Sequence, residues 1–141
     1  MQSNVIQVIY ADMKAYTDIE QSKKLAKILS IESADMFYYK DAVAKEDNPR
    51  VMDYSQVPKN KSMYHFPCWS LAALLNIIPQ EIFDGDYIIN ITEGGTAKWA
   101  IGYDERSYAA GYFPGLYYTY NDSLVDACVE IIIKLHEQNL L

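Results

Sequence analysis

Residues 67–79 read PCWSLAALLNIIP, thirteen residues without a charge and closed by a proline at each end. Pro67 suits the first turn of a helix, where a missing N–H costs nothing. Pro79 disfavours helical geometry at Ile78 and stops the run. Leu71, Leu74, Leu75 and Ile78 recur at i, i+3, i+4 and i+7, which predicts one apolar face. Trp69, Ala72, Ala73 and Ile77 make most of the other side apolar too. A helix apolar nearly all round lies in a core or docks on a partner, so this stretch is the expected centre of the fold. It carries no chemistry of its own.

Towards the N-terminus, residues 17–29 (TDIEQSKKLAKIL) predict a first helix. Thr17 and Glu20 have the spacing of a capping box, Leu25, Ile28 and Leu29 form a narrow apolar stripe, and Glu20–Lys24 is a favourable i, i+4 pair. Residues 36–39 suggest a short strand. Residues 40–66 show no sustained period and contain Pro49, Pro58 and several turn formers, which predicts a long irregular segment. Towards the C-terminus, residues 87–92 and 98–103 flank Gly94-Gly95, the signature of an antiparallel hairpin. Residues 108–113 and 116–120 flank Pro114-Gly115, a second turn signal. Residues 123–138 predict a last helix, capped by Ser123 with Asp126 and burying Leu124, Cys128, Ile131, Ile132 and Leu135. Together these elements predict a single α+β domain over residues 1–141, a small, mainly antiparallel sheet with helices packed mostly on one face.

The chain of 141 residues is half apolar and carries a net charge of -7. That charge is unevenly placed. Residues 1–61 balance, whereas residues 62–141 set ten acids against the three cations Lys98, Arg106 and Lys134. Such a surface repels phosphate backbones, so direct nucleic-acid binding is not expected. An acidic surface can instead occupy a DNA-binding protein. No run approaches the roughly 18 apolar residues of a membrane span. The first residues lack a basic region followed by a long apolar one, so no secretory signal is read. Two cysteines are not a disulfide framework. A reducing cytoplasm is the expected compartment, and the oligomeric state is left open.

The order of several runs has a wider parallel: Gln21-Ser22-Lys23-Lys24-Leu25, Ser33-Ala34-Asp35-Met36, Pro67-Cys68-Trp69-Ser70-Leu71 continuing to Pro79, and Val125-Asp126-Ala127 before an apolar helix. It resembles a group of short uncharacterised proteins encoded by phages, prophages and mobile elements of gut bacteria. The likeness covers about residues 17–141, with Pro-x-Trp-Ser-Leu as its most specific part. It implies a bacterial or phage intracellular setting and brings no catalytic motif.

Candidate chemistry is sparse. His65, Cys68, Cys128 and His136 are the soft metal ligands, and His65-x-x-Cys68 has a tolerable spacing for two zinc ligands. Cys128 and His136 stand about 12 Å apart on one helix and do not complete that site. Cys68 at a helix start is a candidate nucleophile with His65 as its base, yet it opens the most apolar helix and lacks a third orienting group. Asp84, Asp86, Asp104 and Glu105 fall in predicted loops, where paired carboxylates can act as acid and base or hold a divalent ion. No phosphate-cradling loop is present and no cofactor is called for. The clearest lead is aromatic. Tyr108, Tyr112, Phe113, Tyr117, Tyr118 and Tyr120 offer rigid, amphipathic contact area, with Tyr112 and Tyr117 expected near the middle of an exposed patch. The leading expectation is therefore a phage-like, non-enzymatic module that binds another protein. The alternative is a small hydrolase or metal-dependent enzyme using the loop carboxylates or Cys68.

Overall fold

The computed structural model describes residues 14–39, 50–51, 65–107 and 115–141. Among these residues three α-helices and two antiparallel sheets give an α+β fold. Helix α1 is Ile19–Ala26, and a 3₁₀ turn follows at Ile31–Ser33. Strands β1 (Met36–Tyr39), β2 (Arg50–Val51) and β3 (His65–Cys68) form one sheet in the order β2-β1-β3. Helix α2 is Leu71–Ile77. Strands β4 (Glu81–Ile82), β5 (Tyr87–Glu93), β6 (Trp99–Glu105) and β7 (Leu116–Asn121) form the second sheet in sequence order, and helix α3 is Leu124–Glu137. The strands thus divide into two sheets. The expected irregular segment over 40–66 contributes Arg50–Val51 and the start of β3 to the first sheet; its remainder lies outside the described residues.

The cap of α1 falls one residue later than the sequence suggests. The Asp18 carboxylate accepts from the Gln21 N–H (2.8 Å), and the Gln21 side chain accepts from the Asp18 N–H (3.1 Å). This is the reciprocal pairing of a capping box. Thr17 cannot serve as cap because the interior uses its hydroxyl. It is fully buried, shares a hydrogen bond with Ser22 (2.7 Å) and accepts from the Trp69 N–H (3.1 Å).

Residues 67–79 hold the largest departure. Pro67 and Cys68 are not helical; they pair antiparallel with Phe37 and Met36 in β3. β3 is an edge strand, where a missing N–H is tolerated. The helix begins after Ser70, whose hydroxyl accepts from the Ala73 N–H (3.1 Å) and donates to Asp35. Asp35 also accepts from the Ser70 N–H (2.9 Å). The remaining seven residues make under two turns and bury only a strip. Leu74 is fully enclosed, whereas Leu75, expected in the core, is 37% exposed.

The centre of the fold is α3 instead. Seven of its residues are buried, from Val125 to Leu135, and Ser123 caps it as expected, accepting from the Asp126 N–H (3.2 Å). α3 lies over β6 and β7 and packs against α2 and α1. Ile101 and Tyr103 rise from β6 into the same core as Leu25, Trp69, Leu74, Ile131 and Leu135. The Thr119 hydroxyl donates to the Ala127 carbonyl (3.0 Å), tying β7 to the helix. Lys14 fixes the preceding chain to the first turn of α3, reaching Asp126 (2.7 Å), Gln21 (2.8 Å) and Asp18 (3.0 Å). Burial opposes the Lys14 charge, but the Asp126 and Asp18 carboxylates outweigh it and hold its pKa above the ordinary lysine value. No helix among the described residues is long and apolar enough to cross a membrane.

Candidate functional site

Side chains of a strand alternate between faces, so the four-stranded sheet has one face under α3 and one turned away from it. The β5–β6 hairpin forms where expected, with Gly94 and Gly95 at positive φ in its turn. Its register opposes Asn90 to Gly102 and Ile88 to Asp104. These positions lie on the outer face, opposite in parity to the buried Ile101 and Tyr103. Ile88 is 39% exposed there.

β7 reaches this face through an irregularity. Ile101 opposes Thr119, but Tyr103 opposes Leu116, so β7 carries one residue more than β6 over that interval. The extra residue makes a β-bulge, and Tyr117 takes it up at φ 58°. A bulky residue there is unusual and costs about 1–3 kcal/mol. The bulge resets the alternation. Leu116 and Tyr117 both pack against the core, while Tyr120 falls opposite Ala100 and the Tyr118 ring lies over Gly102 on the outer face.

Tyr118 is locked into that position. A Cβ on either Gly102 or Gly115 would run into its ring, so the two glycines make the bed on which the ring lies. The Tyr118 hydroxyl donates to Asp104 Oδ1 (2.6 Å) and accepts from Asn90 Nδ2 (3.0 Å). Burial, then the hydrogen bond to the Asp104 carboxylate, push its pKa up to about 12. On the far side of the strand, Lys134 of α3 donates to the Tyr118 carbonyl (3.1 Å). Tyr120 stacks on Tyr118, with ring centroids 6.1 Å apart and planes at 24°, and is 59% exposed. It is a large aromatic surface held by a rigid neighbour.

The structure therefore separates the aromatic tract. Tyr118 and Tyr120 share the outer face, and Tyr117 belongs to the core side. Tyr108, Tyr112 and Phe113 lie outside the described residues. Asn90 and Gly102 were not singled out from sequence. The available signal was Gly102 itself, a lone glycine inside a strand pattern, which marks a close approach.

The candidates for chemistry are scattered. Cys68 is in β3, not at a helix start, and is fully buried. Its thiol donates to the Thr17 carbonyl (3.4 Å). Burial pushes its pKa up despite hydrogen bonds from Thr17 and Ser22, the opposite of what a thiolate nucleophile requires. His65 lies three residues back along the same strand, about 10 Å away in backbone terms. Cys128 is also free and buried, and burial raises its pKa to about 12. His136 is exposed on α3. Among the described residues no group of three or more His, Cys, Asp or Glu is placed to hold a metal ion.

Of the candidate acids, Asp104 and Glu105 are strand residues rather than loop residues, because β6 extends two positions beyond its hydrophobic alternation. Asp104 serves Tyr118 on the outer face. Asp86 and Glu105 line an open depression of about 480 Å³ with Tyr87, Arg106 and Ser107. Arg106 there is turned to Glu81 (2.8 Å) and the Gly85 carbonyl (2.8 Å). Asp84 is exposed in the β4–β5 turn at φ 55°. Comparison with known proteins finds no family model, no curated sequence and no solved structure that matches this chain.

Proposed function

We propose that this protein is a non-enzymatic binding module that docks another protein through the outer face of the β4–β7 sheet, with Tyr118 and Tyr120 as anchors. The observation that carries this reading is the exposed Tyr120 ring stacked on a Tyr118 that Gly102, Gly115, Asn90 and Asp104 hold in place. Rigid aromatics lose little conformational entropy on binding, and interfaces draw much of their energy from them. The setting proposed from the resemblance is the cytoplasm of a bacterium or of a phage-infected cell. The acidic balance of residues 62–141 supports a protein partner over a direct nucleic-acid one. The alternative of a hydrolase or metal-dependent enzyme has less support, because the thiol is enclosed and the candidate carboxylates are divided among the outer face, the depression and a turn.

The test is affinity capture from a lysate of the bacterium that encodes the chain. Tyr120→Ala is compared with an Asp84→Ala/Asp86→Ala double variant, after circular dichroism has shown both to be folded. Tyr120→Ala is expected to lose a partner that the acid variant keeps. Retention by Tyr120→Ala with loss by the acid variant would move the binding surface to the turn.

A further inference from the structure

We infer that the partner presents an arginine-bearing segment, whose guanidinium stacks on the Tyr118–Tyr120 pair and pairs with Asp104. This rests on the reading of the outer face as a docking surface and adds the chemistry of the occupant. Three observations converge on it. The first is charge: residues 62–141 carry ten acids against three cations. Two of those cations are already engaged, Arg106 by Glu81 (2.8 Å) and Lys134 by the Tyr118 carbonyl (3.1 Å). On the outer face itself Asp104 supplies a carboxylate beside the rings, which favours a cationic approach there.

The second is ring geometry. Two near-parallel phenols at 6.1 Å, one of them 59% exposed, present π-surface to the solvent side of the sheet. A cation over such rings is attracted by their quadrupoles, and arginine fits best because its planar guanidinium also stacks. The third is the carboxylate beside the rings. Asp104 is oriented by the Tyr118 hydroxyl at 2.6 Å. That bond uses one of about four acceptor positions on a carboxylate, so Asp104 can also accept from a guanidinium lying on the ring. Stacking and a charge-assisted hydrogen bond from one planar group explain why a carboxylate and a tyrosine pair stand together on this face.

The probe is a blocked hexa-arginine peptide titrated into the ¹⁵N-labelled full chain, with hexa-glutamate as control. Amide shifts are expected to cluster at Asn90, Asp104, Tyr118 and Tyr120. Tyr120→Ala, and separately Asp104→Asn, which keeps an acceptor for the Tyr118 hydroxyl, should each weaken binding roughly threefold to tenfold. Shifts that instead follow the exposed acids Glu130 and Glu137 of α3, or affinities unchanged in both variants, would overturn the inference. If Tyr120→Ala loses its captured partner while hexa-arginine produces no clustered shifts, the face docks by packing alone and only the arginine inference falls. If capture and titration are both indifferent to Tyr120, the docking reading falls as well.

Discussion

The two faces of the β4–β7 sheet are made by the same strands and have opposite surroundings. Under α3, Ile101 and Tyr103 are fully enclosed and Thr119 is bonded to the helix backbone. On the other side, across one peptide unit, stand Gly102, Asp104, Tyr118 and a Tyr120 that is mostly exposed. The inner face has large apolar groups where burial is worth most. The outer face has glycine where a strand would ordinarily gain from a side chain, and aromatic area where water is the neighbour. The contrast fits the proposed division, in which the inner face stabilises the fold and the outer face meets the partner.

Substitutions on the two faces should behave differently. The largest expected effect is on the enclosed side: Ile101→Ala or Leu135→Ala should lower unfolding free energy in urea by about 2–5 kcal/mol. The same experiment separates neighbours on α2. Leu74→Ala belongs with these core variants, whereas Leu75→Ala should cost under about 1 kcal/mol because the site is already partly wet.

A smaller loss, about 1–3 kcal/mol, is expected for Gly102→Val, since a side chain there must displace the Tyr118 ring from its bed. It should weaken partner capture as well, which an outer face without a binding role would not do.

Alkaline pH sharpens the picture. Cys128 moves from the ordinary thiol value of 9.0 to about 12, and Tyr103 and Tyr118 from 10.0 to about 12, each chiefly through burial. A group with a higher pKa in the fold keeps its proton longer there than in the unfolded chain. Its contribution is complete below the unfolded value and disappears as pH climbs through the folded one. Lys14, also raised, acts in the same direction. Stability should fall between about pH 9 and 12, and Tyr118→Phe should remove part of the fall above pH 10. The most modest readout is thiol labelling: Cys68 and Cys128 should react only after unfolding, as both are fully enclosed.

Much of this architecture is legible in the sequence because local signals agree with it. The Gly94-Gly95 hairpin and the Ser123-capped α3 each combine a turn or cap residue with the right period. The signals mislead where tertiary pairing competes. Pro67 is a good first helical residue, but pairing with Phe37 places it on an edge strand, and Ser70, gripped by Asp35, becomes the true start. Uncharged sequence likewise points to α2 as the centre, although α3, with charges confined to one side, encloses more of itself. The aromatic tract is visible as composition. Its division between faces is not, because a one-residue bulge at Tyr117 reverses the alternation on which such a reading depends.

In the proposed function Tyr120 is held out for a partner and contributes little to the fold. The direct measurement is the urea unfolding of Tyr120→Ala beside its partner capture at matched folded fraction. A stability change under about 1 kcal/mol is expected, together with loss of the captured partner. A loss of stability as large as that of Ile101→Ala, with capture intact, would contradict the proposed function.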